Sequence, residues 1–371
     1  MPFHAEGAGH ALFVGWAIDQ SSCDSPIAGS SVNRRVLVFL VFSVVAVIAA
    51  LMLNTHRRGD NVVIVYVSED QVFSEPILKD FERDTGTVVR AVYDTEETKS
   101  AGVVNRLIGE KSIPQADVYW ANEPIRAEVL RQQGVSAPYR PANADGIPDR
   151  FRDPNGYWTG FSARARMLIV AKGGIGNPAS ILAYTDPRFR SKAVIANPLF
   201  GTTTAHIAAL FTVWGDAQGK AFLEAMRKND VKLASSNGES ADQVSAGAFQ
   251  FALADSDDVH SRQKQGRPIE GVYPDQDVQG VGCFIVPNAV MLVKGGPHPQ
   301  AGRRLIDYLV SRETERKLAF SDAAQIPLHA DVEAPPDVRR LETLKIMKVD
   351  YAQVAAKMQV IQPLLRDWAG H

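Results

Sequence analysis

The sequence predicts an α/β fold built on mainly parallel sheets, and three observations carry that expectation. Near-continuous apolar runs of four to seven residues recur between residues 62 and 254, as strands buried on both faces require. Segments with apolar residues at helical spacing lie between them. The chain has 371 residues, 45% hydrophobic and 22% charged, which is enough for two domains with a real core.

The first 35 residues form a polar, Gly/Ser-rich extension without pattern. "VLVFLVFSVVAVIAALML", Val36 to Leu53, then runs 18 residues without a charge. That length suits a membrane-spanning helix of about 20 residues, and aliphatic side chains cover every face. An uncleaved transmembrane anchor is expected, ahead of a cleaved signal and a buried soluble helix. A signal would have a shorter apolar core and a small-residue cleavage site, which is not evident. Arg34 and Arg35 before the span balance Arg57 and Arg58 after it, so the positive-inside rule leaves orientation open. Residues 54–61 are a polar tether.

The strands expected next are "VVIVYV" (62–67), "TVVRAVY" (87–93), "ADVYW" (116–120), "ARMLIVA" (165–171), "AVIA" (193–196) and "FQFALA" (249–254). Between them "SEPILKDFERDTG" places Ile77, Leu78 and Phe81 on one helix face, with Gly86 as its stop. "SAGVVNRLIGEK" and "AHIAALFTVWG" read as helices in the same way. Cys23 and Cys283 lie in no metal-ligand or CxxC spacing and read as unpaired, Cys283 as a small buried hydrophobe. His206, His298 and His329 read as structural or surface residues.

The segments after these strands are chemically loaded. Ser68, Glu69 and Asp70 follow the first; Ala121, Asn122 and Glu123 follow "ADVYW"; "NPLFGTTTAH" follows "AVIA". "FQFALA" runs into Asp255, Ser256, Asp257 and Asp258. Ligands of open α/β sheets bind outside the carboxyl ends of strands, so these residues mark the lip of a cleft. Each cluster also has a plainer reading. One aspartate at 255–258 would serve as a helix N-cap, but three within four residues repel one another unless a cation or a set of donors offsets them. Gly201 to His206, "GTTTAH", offers amides and the hydroxyls of Thr202, Thr203 and Thr204 as an anion seat, or an ordinary threonine cap. Glu123 reads equally as a first-turn helix glutamate. An EF-hand fails because Val259 stands where an oxygen ligand belongs.

The net charge of −2 gives no basic field, which excludes nucleic acid as a partner. No GxSxG, HExxH or GxGxxG motif is present, so nothing points to an enzyme. Acid–base work by Glu123 with Asp257 in an anchored extracytoplasmic metal-dependent hydrolase is the weakest alternative.

Taken together, "YVSEDQVFSEPILKDFERDTG", "PQADVYWANE", "WTGFSARARMLIVA", "DPRFRSKAVIANPLFGTTTAHIAAL" and "VPNAVMLVKGGPHPQAGRRLIDYLVSRETERKLA" resemble family 1 extracellular solute-binding proteins of ABC importers, above all the ferric-iron-binding branch, in the same order over roughly residues 62–330. The resemblance implies a type II periplasmic-binding-protein fold, with two α/β lobes joined by a hinge and closing on a ligand in the interlobe cleft. The crossings would fall in "GFSARARMLIVA" and "GCFIVPNAVMLVK", making lobe one 62–163 plus 284–371 and lobe two 164–283. It also implies a monomer without catalytic cofactor, facing the periplasm, tethered to the cytoplasmic membrane and delivering its ligand to a permease and its ATPase.

In the ferric-binding relatives a tyrosine pair in lobe two holds iron, with a histidine or glutamate from lobe one. Here Asp257 and Asp258 stand where the tyrosine pair belongs, Asp70 and Glu123 occupy the lobe-one positions, and the tyrosine signature is absent. An all-carboxylate set of Asp70, Glu123, Asp257 and Asp258 suits a hard cation, so ferric iron or another metal is the ligand expected first. Other members of the wider branch bind phosphorylated or phosphonate-bearing compounds. For such a ligand Gly201, Thr202, Thr203 and Thr204 would seat the phosphate, and Asp257 or Asp258 would take an amine or a sugar hydroxyl. Ser68, Asn122 and Asp255 complete the expected ligand-binding set.

Overall fold

A computed structural model describes residues 61–94 and 101–370, together with 43–45 and 47. The N-terminal extension, Cys23, nearly all of the apolar span at 36–53 and the tether lie outside the described residues. Among the described residues no helix is long and apolar enough to cross a membrane. The sheet and the helices packed on it lie in the unit Thr55–His371.

β1 (Val62–Val67), α1 (Gln71–Thr85), β2 (Val88–Tyr93), α2 (Ala101–Gly109), β3 (Val118–Ala121), α3 (Pro124–Gln132) and β4 (Ser136–Ala137) come first. The long β5 (Thr159–Ala171) follows, then β6 (Ala193–Ala196), α4 (Gly201–Trp214), α5 (Asp216–Lys228), β7 (Lys232–Ala234) and α6 (Asn237–Ser245). Then come β8 (Phe251–Asp255), α7 (Ser256–Lys264), β9 (Ile269–Val272), β10 (Ile285–Val293), α8 (Pro299–Leu309), α9 (Arg312–Phe320) and α10 (Tyr351–Ala369).

The strand order is β2-β1-β3-β10-β5-β8-β6-β7, with β4 beside β10 and β9 beside β5. The expected parallel pairing holds at the two flanks, where β1 joins β2 and β3, and β6 joins β7 and β8. The centre is antiparallel, because β10 and β5 run against their neighbours there. β-branched and aromatic residues form β1 and β3, and the core side chains Val63, Val65, Tyr119 and Trp120 are fully buried. α1 ends as its glycine predicts: Gly86 takes φ 68° and donates to the Glu82 carbonyl at 2.8 Å.

β5 is longer than its apolar run suggested, beginning at Thr159 rather than 165. Its first half pairs with β10 from Thr159 to Ala165; its second half pairs with β8 and β9 from Arg166 onward. Partners on both sides hold the extra residues extended, despite the polar "SARAR" that interrupts the hydrophobic pattern. Ser162 at φ 37° and the register shift between Pro287 and Asn288 mark an irregularity in the β5–β10 ladder. Arg164 and Arg166 lie two apart on β5 and therefore share one face.

Candidate functional site

The carboxyl ends of β1, β3, β6, β7 and β8 open on one cleft of about 330 Å³. Asp70 comes from the turn after β1, Asn122 from that after β3, Asn197 from that after β6, and Ser235 and Ser236 from that after β7. Asp255, Asp257 and Asp258 enter at the end of β8, and Arg164 enters from β5. That volume has room for a small molecule.

Five helices begin around this cleft, and how each start is satisfied decides what the cleft offers. Glu123 caps α3, accepting from the amides of Ile125 at 2.6 Å and Arg126 at 3.0 Å. Ser236 caps α6 through the Glu239 amide at 3.1 Å, and Glu239 reaches back to the Ser235 amide at 2.6 Å. At α7, Asp258 reaches back to the Asp255 amide at 3.4 Å, and Asp257 accepts from the Asp258 amide at 3.0 Å. α1 and α4 differ: Asp70 makes no side-chain cap hydrogen bond to α1, and the cap position of α4 holds Phe200, which has no side-chain acceptor. Phe200, Gly201 and Thr202 all line the cleft. α1 begins at Asp70, on the same cleft.

Two buried arginines balance the carboxylates. Arg166 Nη1 lies 2.9 Å from Asp255 Oδ1 and donates to Thr202 Oγ1 at 2.9 Å, while Nη2 donates to Thr203 Oγ1 at 3.0 Å. Thr202 donates to Asp255 Oδ2 at 2.7 Å, and Asn237 Nδ2 donates to the same oxygen at 3.1 Å. Burial alone would raise the Asp255 carboxyl, but Arg166 and Arg164 outweigh it and hold the group below the usual carboxylate range. Asp257 moves the other way: burial, reinforced by Asp258, Asp255 and Glu69, pushes it well above that range despite Arg164. Arg262 sits 3.3 Å from Asp258 and 3.0 Å from Asp242.

Of the residues expected from sequence, Asp70, Asn122, Gly201, Thr202, Asp255, Asp257 and Asp258 line the cleft together. Four do not. The Ser68 hydroxyl donates to Asp94 at 3.0 Å and lies 2.9 Å from the Tyr119 hydroxyl. Both oxygens of Glu123 are used on α3. Thr203 is bound to Arg166 and Asn237, and Thr204 Oγ1 is buried without a hydrogen bond. The hydroxyls of Thr202 and Thr203 thus serve the interior network. The sequence reading missed Arg164, Arg166, Asn197, Ser235, Ser236, Asn237 and Arg262. The signal for the first two was an Arg-x-Arg inside a buried strand; that for "SSNG" was a serine cap directly after β7.

Oxygens of Asp255, Asp257 and Asp258 lie within 4.8 Å of one another, close enough to share a cation. Glu123, expected as a fourth ligand, is turned away from them by its capping role. No tyrosine is among the described residues lining the cleft. His206 is buried and its pKa drops to about 3, first through burial and then through Arg166, so it serves the core as a neutral ring. Cys283 is likewise buried, its thiol 3.1 Å from the Arg166 carbonyl.

Burial raises the Glu123 carboxyl to about 6, against the pull of Arg126 and the two amides. A carboxyl raised in the folded state contributes stability below its unfolded pKa of about 4.5, and that contribution is lost as pH rises through about 6. The shift corresponds to about 2 kcal/mol. Asp257, also raised, loses stability over the same range, so urea unfolding at about pH 4.5 and about pH 7.5 should show a loss about 2 kcal/mol smaller in Glu123→Gln, whose amide oxygen still caps α3, than in the parent. An equal loss in the variant would assign the effect to another group.

A two-flank α/β sheet whose strand ends converge on one polar cleft is the arrangement in which ligands bind outside the carboxyl ends of strands. Residues 126–354 match the family model described as bacterial extracellular solute-binding protein, and the chain belongs to that family. It is 24% identical over 257 residues to a candidate 2-aminoethylphosphonate-binding periplasmic protein of Salmonella typhimurium, covering 68% of this chain and 73% of the relative. The apo ferric ion-binding protein A of Pasteurella haemolytica superposes with a TM-score of 0.73 at 21% identity, over 84% of this chain and 98% of that one. The periplasmic binding protein AfuA of Actinobacillus pleuropneumoniae, solved with exogenous fructose-6-phosphate, gives 0.74 at 20% identity, over 83% and 98%. The fold is therefore of the type II periplasmic-binding-protein kind. The family is one of solute-binding transport proteins, so this chain is a solute-binding protein of the ABC-importer type and not an enzyme.

Proposed function

We propose that the cleft captures a small organic anion carrying a phosphate or phosphonate group together with an amine or sugar hydroxyls. The observation behind this reading is the start of α4. Its first residues, Gly201 and Thr202, line the cleft with Phe200 at the cap, whereas α3 and α6 are capped by Glu123 and Ser236. An uncapped helix start facing a cleft is a seat for an anion. Asn197 and Ser236 supply further donors beside it, and Asp70, Asp257 and Asp258 supply acceptors for an amine or hydroxyl. Names among the relatives and neighbours support the same class, since one refers to 2-aminoethylphosphonate and one structure holds fructose-6-phosphate. The protein would close on this ligand, be stabilised closed by it, and release it to a permease and its ATPase. It would work in the periplasm, tethered by residues 36–53.

Metal cargo is the second reading, favoured by the spacing of the aspartate oxygens and by the ferric ion-binding neighbour. Melting of the chelator-stripped protein separates the two. A ligand at about 100 times its Kd adds about 2.7 kcal/mol to stability. The expected result is a rise in Tm with 2-aminoethylphosphonate or a sugar phosphate and none with ferric citrate or manganese. A rise with metal alone would overturn the first reading.

A further inference from the structure

Arg164 is 3% exposed and lies on the wall of the cleft. Its guanidinium faces carboxylates from two strand ends: Glu69 at 3.6 Å, and Asp255 and Asp257 at 3.9 and 4.0 Å. It also donates to the Asn122 carbonyl. The three carboxylates stand beyond hydrogen-bonding distance, so the guanidinium acts as one charge shared among them rather than as the partner of any one. Its Nε makes no hydrogen bond and is buried. Arg166 stands on the same strand face, but both its Nη groups are spent on Asp255, Thr202 and Thr203, and its Nε is buried without a partner.

From this arrangement we infer that Arg164 is the specificity-determining residue of the cleft: it fixes a positive charge against Asp255 and Asp257, two of the three aspartates whose oxygens lie close enough to share a cation, and so closes that cluster to metal cargo. A buried acidic cluster needs a compensating positive charge, and the chain supplies it from β5. The same charge lies beside the cleft and favours an anionic ligand there. This inference rests on the phosphate-or-phosphonate reading for the ligand that Arg164 favours. Its claim about metal exclusion is tested separately.

The test is calorimetric titration of the chelator-stripped parent and Arg164→Gln with manganese, ferric citrate and 2-aminoethylphosphonate. The parent should take up neither metal. Arg164→Gln should bind manganese or ferric ion at least about 100-fold more tightly than the parent and lose affinity for the phosphonate by at least about tenfold. Adding Asp257→Asn to Arg164→Gln should abolish the new metal binding. Arg164→Lys, which keeps the charge, should stay blind to metal. If Arg164→Gln does not fold, the double variant Arg164→Gln with Glu69→Gln, which removes one charge of each sign, takes its place under the same criteria. A folded variant that gains no metal binding overturns the inference, as does stoichiometric metal binding by the parent. A parent that ignores every phosphate and phosphonate, beside a variant that gains metal, upholds the exclusion and overturns only the ligand reading.

Discussion

Arg166→Met should destabilise the protein by about 3–5 kcal/mol, the loss typical of removing one partner from a buried ion pair. The side chain is fully buried and contacts Asp255, Thr202 and Thr203. Methionine fills much of the volume and supplies none of the hydrogen bonds, which leaves the buried Asp255 carboxylate with only Thr202 and Asn237 as hydrogen-bond donors. For a chain of this size the fall in Tm should be roughly 6–15 °C. Arg166→Met with Asp255→Leu, which removes both charges, should recover at least half of the loss, because burying neither charge is cheaper than burying one alone. A single variant within about 1 kcal/mol of the parent would mean that Asp255 is satisfied without Arg166.

Phe200→Asp should move stability and binding in opposite directions. Phe200 has φ −133° and ψ 158°, the extended geometry of an N-cap residue, but no acceptor to offer. An aspartate there can accept from the first-turn amides and should add about 1 kcal/mol of stability. The same carboxylate would occupy the anion seat and repel its ligand, so binding of 2-aminoethylphosphonate or a sugar phosphate should fall by about 100-fold. Phe200→Leu keeps the seat open and should bind nearly as the parent does. Paired denaturation and calorimetry check both halves; a Phe200→Asp protein that is more stable and binds undiminished would remove α4 from the site.

Much of this architecture was legible in the chain itself. The apolar runs marked β1, β6 and β8 closely, and the polar residues placed after β1, β3, β6 and β8 do converge on one cleft. The antiparallel centre was not legible, because strand direction depends on pairings such as Arg166 with Asp255, 89 positions apart. The same distance hid the answer to the aspartate cluster. Local sequence shows three carboxylates and predicts a missing cation or donor set; only the fold shows that β5 carries the cations. Glu123 and the threonines read equally well as caps or as ligands, since a helix start and a ligand seat need the same atoms. Packing then committed Glu123 to α3 and the hydroxyls of Thr202 and Thr203 to the arginine network.

A phosphorus NMR titration of 2-aminoethylphosphonate and fructose-6-phosphate with the chelator-stripped protein tests the central claim most directly. At least one of these resonances should shift or broaden to saturation at one equivalent, and the change should vanish in Phe200→Asp. Unchanged phosphorus signals, together with saturable uptake of ferric citrate by the same preparation, would contradict the account and return the aspartates to the role of metal ligands.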